Sequence, residues 1–359
     1  MNTLAPAAWP DRDASATRLL HLDPGRGTFT DRRIDELPLL LRAGDLLVLN
    51  DAATLPASLR GSSSHGEIEL RLCGAPREGG GGRWPAVLFG PGSWRDRTED
   101  RPPPPPIDAG ETIEIEPPGE GRGLAARVVS VSPVSPRLVE LRFDRRGARL
   151  WSALFRLGRA VQYSHTRAPL PLWHVQTAFA GRPLAAEMPS AGRPLRLPLL
   201  RALGSRGVGV RTVTHAAGLS STGDPDLDAA LPLPEPSVIP ATTVAAIERA
   251  REAGGRVVAV GTSVVRALEG AAVDGPLRAG ASVRNERIGP GHVPRVVQGV
   301  LSGVHAPGES HFELLRAFAP RALLEAALAH AARTGYLGHE FGDSTLILPT
   351  DDDRSTRAA

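Results

Sequence analysis

Continuous apolar runs and helical apolar patterns alternate through much of this chain. The runs at residues 46–49 and Val257–Val260 lack polar alternation, which is typical of strands covered on both faces of a sheet. Apolar residues at helical spacing predict helices over residues 195–203, 240–253 and 321–333. Because buried strands and helices follow one another, the pattern indicates an α/β fold with a largely parallel sheet.

A second pattern occupies the segment between these regions. Residues 67–72, 112–115 and 139–143 alternate strictly between apolar and polar, and glycine and proline are frequent around them. Alternation of period two with many turn residues predicts a small antiparallel barrel or sandwich.

The two patterns together predict the domain organisation. We expect a large α/β domain made of residues 1–56 and 147–350, interrupted by an inserted small antiparallel β-barrel-like domain at residues 57–146. The polar end of the chain, residues 351–359, is expected to be disordered.

Composition narrows the class of protein. The 359 residues include no apolar run long enough to span a membrane, and the first residues lack the features of a signal peptide, so we expect a cytoplasmic protein. Cys73 is the single cysteine, which agrees with a reducing compartment. No cluster has metal-ligand spacing, so the sequence predicts no metal.

All 42 fixed cations are arginine, since the chain contains no lysine. Arginine suits bidentate phosphate contacts and stacking on bases, as an RNA substrate would require. A GC-rich genome explains the same bias, because alanine, glycine and proline are abundant as well. The charge therefore gives only weak support for a nucleic-acid partner.

The stretch RVVAVGTSVVRALEGA is the most informative segment, because it predicts a buried strand, a glycine turn and a helix. Gly261 permits the turn, and Thr262 and Ser263 lie where the helix begins, so hydroxyls and free N–H groups form a cup suited to a polar or anionic ligand. Arg266 and Glu269 follow on the same face. The alternative is a capped helix with Arg266 and Glu269 paired on its surface.

Other polar residues lie beside glycine or proline, or at the ends of strands, where α/β proteins often place ligand contacts. Each is also compatible with an ordinary turn. They are Asn50 and Asp51 after the first buried run, Ser190 and Gly192 in PSAG, His215 after a predicted strand, Gly289 and Gly291 in GPG, and His305 in VHAP.

In order and spacing these segments resemble the S-adenosylmethionine:tRNA ribosyltransferase-isomerase family of queuosine biosynthesis. The segments that carry the resemblance are LPLLLRAGDLLVLNDAATLPASLRG, HVQTAFAG, PSAG, RVVAVGTSVVRALE, GPG, VHAP and FGDSTLIL. The resemblance implies an α/β domain interrupted by a β-barrel-like domain. It also implies transfer of the ribosyl part of S-adenosylmethionine to 7-aminomethyl-7-deazaguanine in the anticodon loop of tRNA, which gives epoxyqueuosine.

Within this resemblance, several family motifs are altered. The family histidine of Pro-Thr-Ala-Gly-Leu-His-Phe is Pro194 here, and the serine hydroxyl of Gly-Thr-Thr-Ser-Val-Arg is lost, because Val264 occupies that position. His215 is kept, but both glycines that follow it in the family pattern are displaced.

The resemblance and the residue types together suggest roles. His215 and His305 are candidate general acids or bases, since imidazole titrates near neutral pH, although a lone histidine is often structural. Glu269 is a base or the partner of Arg266. Asp343 is expected to close a turn. The candidate substrate-binding residues are Asn50, Asp51, Ser190, Gly192, Gly261, Thr262, Ser263, Arg266, Gly289 and Gly291.

Three functions remain open at this point. The first is the family reaction on tRNA by a monomeric enzyme. The second is a diverged enzyme that binds S-adenosylmethionine or a related nucleoside but modifies another acceptor. The third is a non-catalytic RNA- or nucleoside-binding protein on the same fold.

Overall fold

The computed structural model describes residues 4–10, 16–76, 82–117 and 121–350. The tail expected to be disordered, residues 351–359, lies outside them. Across the described residues, every helix is too short or too polar to cross a membrane.

The described chain contains strands, α-helices and short 3-10 helices. The strands are β1 (Ala5–Pro6), β2 (Arg18–Asp23), β3 (Thr28–Arg33), β4 (Leu46–Asn50), β5 (Ala52–Thr54), β6 (Ser58–Ser63), β7 (Gly66–Leu72), β8 (Trp84–Phe89), β9 (Thr112–Ile115), β10 (Leu124–Val131), β11 (Leu138–Phe143), β12 (Arg182–Ala185), β13 (Gly209–His215), β14 (Glu235–Ile239), β15 (Val257–Val260), β16 (Gly280–Arg284), β17 (Gly299–Gly303), β18 (Leu337–Gly338) and β19 (Ser344–Ile347). The α-helices are α1 (Leu37–Leu40), α2 (Gly147–Leu157), α3 (Leu197–Ser205), α4 (Pro225–Ala230), α5 (Ala241–Glu252), α6 (Thr262–Ala271), α7 (Ser310–Leu315) and α8 (Arg321–Arg333). The 3-10 helices include Ile34–Glu36, Thr98–Asp100, Leu172–Val175 and Ser190–Gly192.

A nine-stranded mixed sheet forms the centre of the α/β part, in the order β16-β14-β13-β4-β15-β17-β19-β2-β3. Its four middle strands, β13, β4, β15 and β17, are parallel. The remaining pairings are antiparallel, apart from the parallel pair of β19 and β2. The carboxyl ends of the four parallel strands therefore meet at one edge.

Burial on both faces explains the continuous apolar runs of β4 and β15. Val48 and Ala259 belong to the core that includes residues of α5, α6 and α8, whereas Leu47 and Val258 belong to a second core beneath α1 and α3. Successive residues of a strand point to opposite faces, so a strand between two helical layers needs an apolar residue at every position.

The second pattern forms a closed six-stranded antiparallel barrel in the order β10-β11-β8-β7-β6-β9. Its alternating apolar residues fill one core, with Leu70, Val87 and Leu141 among the fully buried side chains. The predicted fold class is thus confirmed: an α/β part with an antiparallel barrel. All six barrel strands lie within the predicted insertion, and the domain boundaries remain a prediction.

A buried charged cluster lies beside barrel strand β7. Glu69 accepts hydrogen bonds from Arg71 Nε at 2.8 Å and Arg101 Nη1 at 2.7 Å, and all three side chains are buried. Both guanidinium groups lie over the ring of Phe89, at 4.5 and 5.4 Å from its centre. Burial disfavours the charged form of Glu69, but the two arginines outweigh it and lower the pKa of the carboxyl.

One predicted helix is displaced by two residues. We expect a helix over residues 195–203, whereas α3 spans Leu197–Ser205. Pro198 occupies the first turn, where its missing N–H costs nothing and its fixed φ favours a helix start. Leu195 precedes the helix and is fully buried in the core beneath it.

Candidate functional site

The carboxyl ends of β4 and β13 and the first turn of α6 are joined by one side chain, Asn50. Its Nδ2 donates to the carbonyl oxygen of His215 at 2.9 Å and to Ser263 Oγ at 3.3 Å. Its Oδ1 accepts from the backbone N–H groups of His215 and Ala52, both at 3.0 Å. Since all these groups are buried, Asn50 fixes the positions of two predicted site residues, His215 and Ser263, and its side chain is not free to bind a ligand.

Asp51, the next residue, also forms its hydrogen bonds within the protein. Its Oδ1 accepts a hydrogen bond of 2.6 Å from Thr214 Oγ1, and its carbonyl oxygen accepts one of 2.8 Å from the N–H of Gly181. Asp51 thus connects β4 to β13 and to the segment that leads into β12.

The most concentrated charge at this edge is Glu235, at the start of β14. Its Oε2 lies 2.8 Å from His215 Nε2 and 2.9 Å from Arg266 Nε, while its Oε1 accepts from Arg266 Nη2 at 3.1 Å and from the N–H of Gly218 at 3.0 Å. The carboxyl is only 6% exposed. One buried acid therefore binds the two predicted site residues that come from different elements, β13 and α6.

The charges around Glu235 explain why its carboxyl is ionised. Burial opposes ionisation of Glu235, but Arg266 and His215 outweigh burial and hold the pKa of the carboxyl well below its usual value. An ionised carboxylate can only accept, so His215 donates through Nε2, and in the neutral ring Nδ1 then carries the lone pair. Within the described chain, that buried Nδ1 has no hydrogen-bond partner.

The turn into α6 differs from a helix capped by a side chain. Gly261 is the N-cap residue with φ of 90°, a conformation that favours glycine, and neither Thr262 nor Ser263 caps the helix. The Ser263 hydroxyl instead accepts from Asn50. Within the described residues, the N–H groups of Thr262 and Ser263 have no acceptor, as in the first turn of any helix, and their use as a ligand cup remains a prediction.

The expected pairing of Arg266 with Glu269 is wrong, because Arg266 binds Glu235. Glu269 is buried and accepts hydrogen bonds of 2.8 to 3.1 Å from His292 Nε2 and from three consecutive backbone N–H groups, residues 295–297. A carboxylate whose oxygens accept hydrogen bonds from four donors anchors a loop, so a catalytic role for Glu269 finds no support here.

Gly289 and Gly291 belong to the loop that Glu269 anchors. The N–H of His292 donates to the carbonyl oxygen of Gly289 at 2.9 Å, closing a turn. Space beside both glycines is open, so neither is required by packing. Among the described residues, no hydrogen bond joins this turn to Glu235, and a role in substrate binding remains a prediction.

His305 follows β17 and is held through both ring nitrogens. Nε2 lies 3.1 Å from Ser302 Oγ, and Nδ1 lies 3.1 Å from Glu309 Oε2. Its ring stacks on His311, with 4.7 Å between the ring centres. Burial, then the charges of His305 and Arg266, lower the pKa of His311 well below its ordinary value. His311 therefore stacks on His305 and lies within electrostatic range of Arg266 and Glu235.

The PSAG turn packs against the glycine turn before α6. Ser190 lines a small pocket together with Gly303, His339 and Glu340. Gly192 has a packing role, since a Cβ atom there would lie 2.7 Å from the Phe179 ring. Ser190 thus faces a pocket, whereas Gly192 lies beneath it.

Sequence reasoning missed Glu235, His311 and Glu187. Glu187 accepts from the Ser220 N–H at 3.0 Å and from the Tyr163 hydroxyl, and burial raises the pKa of its carboxyl. A charged residue at the start of an otherwise apolar strand, as in EPSVI, was the signal for Glu235. His311 follows His305 by six residues, and only the fold brings the two rings together.

The comparisons with known proteins agree with this architecture. Residues 2–347 match the model of a family described as queuosine biosynthesis protein. The chain belongs to the queuosine biosynthesis protein family. Membership confirms the resemblance based on the sequence motifs, despite the altered residues at Pro194 and Val264.

Curated relatives cover almost the full chain. A protein of Anaeromyxobacter dehalogenans strain 2CP-C, named S-adenosylmethionine:tRNA ribosyltransferase-isomerase, is 37% identical over 96% of this chain and 95% of its own length. A protein of Synechococcus elongatus with the same name is 32% identical over 97% of this chain and 99% of its own.

A solved structure is also similar to the structure of this chain. The crystal structure of S-adenosylmethionine tRNA ribosyltransferase from Thermotoga maritima superposes with a TM-score of 0.51 and covers 96% of each chain. At 23% identity, this likeness supports the fold.

Proposed function

We propose that this protein is an S-adenosylmethionine:tRNA ribosyltransferase-isomerase of queuosine biosynthesis. The family match over residues 2–347 is the observation that carries the proposal. In the reaction, the amine of 7-aminomethyl-7-deazaguanine in tRNA receives the ribosyl part of S-adenosylmethionine, adenine and methionine leave, and epoxyqueuosine forms. The enzyme must orient two substrates, remove a proton beside the sulfonium and assist the departure of adenine.

The carboxyl edge of the sheet suits the anionic part of the donor. We assign the methionine carboxylate to the N–H groups of Thr262 and Ser263, since a helix amino end favours negative charge. Arg266 uses Nε and Nη2 on Glu235, which leaves Nη1 to face a ligand. Glu235 neutralises most of the charge of Arg266. We therefore expect Arg266 to orient the methionine carboxylate, while the helix amino end supplies the main attraction.

His215 is the base we propose for this reaction. Glu235 fixes its ring through Nε2 at 2.8 Å and so presents Nδ1 as the acceptor. A carboxylate that orients an imidazole in this way also stabilises the imidazolium formed when the ring takes a proton. His305 is bonded at both nitrogens, so taking up a proton would require it to release one of its present partners.

The test is turnover with labelled S-adenosylmethionine and tRNA that carries the aminomethyl base, measured as released adenine. Absence of adenine at saturating concentrations of both substrates would exclude this activity. Calorimetry with S-adenosylmethionine alone then separates the other two functions: saturable heat indicates a diverged nucleoside enzyme, and its absence indicates an RNA-binding protein.

A point variant tests the assignment of the base. His215→Gln keeps a donor for Glu235 but cannot take up a proton, so kcat is expected to fall by about 10²- to 10⁴-fold with little change in stability. His65→Gln, at an exposed loop of the barrel, is the matched control and should leave kcat unchanged. An unchanged kcat in His215→Gln would reject His215 as the base.

The remaining expectations follow from a tRNA substrate. We propose that the protein acts in the cytoplasm, where tRNA is modified, and that it works as a monomer. The arginine-rich composition supports contact with the RNA backbone. Size-exclusion chromatography with light scattering, with and without tRNA, measures the oligomeric state.

A further inference from the structure

A second group of chemically reactive side chains lies at the pocket beside Ser190. His165, His339 and Glu340 come from two distant segments, yet their ligand-type atoms all lie within 4.8 Å of one another. His165 Nε2 is 3.0 and 3.2 Å from the two oxygens of Glu340, and the two imidazole rings stack with 4.3 Å between their centres. Within the part of the chain that the structure describes, no hydrogen bond joins these three residues to Glu235, His215 or Arg266.

The turn that presents two of these side chains is built to hold them. His339 has φ of 64°, the one described residue other than glycine in the left-handed region. Such a conformation costs about 1 to 3 kcal/mol and persists only where the surroundings enforce it. Asp343 enforces it here: its Oδ2 accepts from the Leu337 N–H at 2.8 Å, and its own N–H donates to the Leu337 carbonyl at 2.8 Å. The prediction that Asp343 closes a turn agrees with these bonds.

The third side chain is positioned by a separate turn. The Thr166 N–H and hydroxyl both donate to the Tyr163 carbonyl, at 3.0 and 2.8 Å, so the intervening residues 164 and 165 are held in place. The Tyr163 ring also lies parallel to the ring of His165, with 6.3 Å between their centres. Both sides of the group therefore rest on fixed backbone.

From this geometry we propose that His165, His339 and Glu340 bind a divalent transition-metal ion of the zinc type. Two imidazoles and one carboxylate are a ligand set that zinc accepts while keeping a fourth position open. Ligands about 2 Å from such an ion lie about 3.3 Å apart in a tetrahedral site, so modest side-chain rotations complete the site. His339 and Glu340 line a pocket, which leaves room for a water molecule or a ligand atom.

A neighbouring group, His305, Glu309 and His311, meets the same distance criterion. It is the weaker choice, because His305 already uses both ring nitrogens in hydrogen bonds. Glu309 is also half-exposed, with 48% of its side chain accessible, so its ion pair with His305 gains little from burial. This second group serves as the internal comparison in the experiment.

The experiment measures metal binding and requires no turnover, so its result is independent of the proposed function. Full-length protein is freed of metal with a chelator and titrated with Zn²⁺ by calorimetry and with Co²⁺ by visible absorption. One equivalent of either ion is expected to bind, and Co²⁺ should show the intense d–d bands of a four-coordinate site. Absence of saturable binding by both ions would overturn the proposal.

Variants locate the ion. His339→Gly removes the imidazole and also the left-handed strain, so it should fold while binding Zn²⁺ more than about 100-fold more weakly, since even outer-shell partners are worth about 10- to 100-fold. His165→Ala should have the same effect, and the exposed His65→Ala should have none. Unchanged binding in His339→Gly, or binding that disappears in His311→Ala instead, would refute the assignment.

Discussion

The buried carboxyl of Glu235 provides the sharpest test of the site. Glu235→Gln keeps the size of the side chain but removes the charge that Arg266 and His215 share. Breaking one side of a buried ion pair costs about 3 to 5 kcal/mol. Because 16% of the Arg266 side chain is accessible and water can solvate part of its charge, we expect the lower end, about 3 kcal/mol. Equilibrium urea unfolding followed by tryptophan fluorescence at neutral pH measures the loss.

The loss of stability in Glu235→Gln should also depend on pH. The folded-state pKa of Glu235 lies below that of an unfolded glutamate, which is about 4.3. Its charge therefore stabilises the fold above that value, and this contribution is lost as the pH falls toward the folded-state pKa. The difference in unfolding free energy between wild type and Glu235→Gln should be constant from pH 6 to 8 and shrink below about pH 4.3.

A matched change elsewhere isolates the effect of burial. Glu309→Gln makes the same chemical replacement in a half-exposed carboxyl that pairs with His305, and it should cost at most about 1 kcal/mol. If Glu235→Gln costs no more than Glu309→Gln, or if the difference from wild type does not change at acid pH, the buried-charge reasoning is wrong.

Three further changes test the scaffold by thermal unfolding. Asn50→Ala leaves the buried N–H and C=O groups of His215 unpaired and should cost about 2 to 4 kcal/mol; a loss below about 1 kcal/mol would contradict this. Gly255→Ala places a Cβ atom 1.9 Å from the carbonyl oxygen of Gly44 and should lower the melting temperature sharply, whereas Gly204→Ala, with open space around it, should not. Glu69→Gln leaves two buried barrel arginines without a carboxylate and should cost about 3 kcal/mol, and a neutral result would show that water or an anion compensates them.

Much of the fold could be predicted because the spacing of apolar residues along the chain shows which faces of a strand or helix are buried. The run at residues 46–49 of β4 and the run that forms β15 are apolar at every position, whereas the barrel strands alternate. The α/β part and the barrel therefore have distinct patterns. The hairpin of β2 and β3 was not predicted. Strand β3 is largely exposed and reads TFTDRR, so polarity hides its pairing with β2 at the edge of the sheet.

The site was predictable where residues lie at strand ends and not where partners come from distant segments. Asn50 and His215 end β4 and β13, Ser263 follows β15, and the fold brings the three into hydrogen-bond contact through Asn50. Glu235 is remote from Arg266 in sequence, so the nearer Glu269 was the natural partner on a helix. Pairing at helical spacing failed because Glu269 faces the loop at residues 295–297 and Arg266 faces β14.

Pro194, at the position where the resemblance leads us to expect a histidine, lines the same pocket as His339 and Glu340. That pocket contains one imidazole, supplied by the turn between β18 and β19. Because chemistry depends on which groups face a pocket and not on which segment carries them, loss of the motif histidine does not by itself argue against catalysis. His339, strained and held by Asp343, is the residue whose replacement decides whether that imidazole is used.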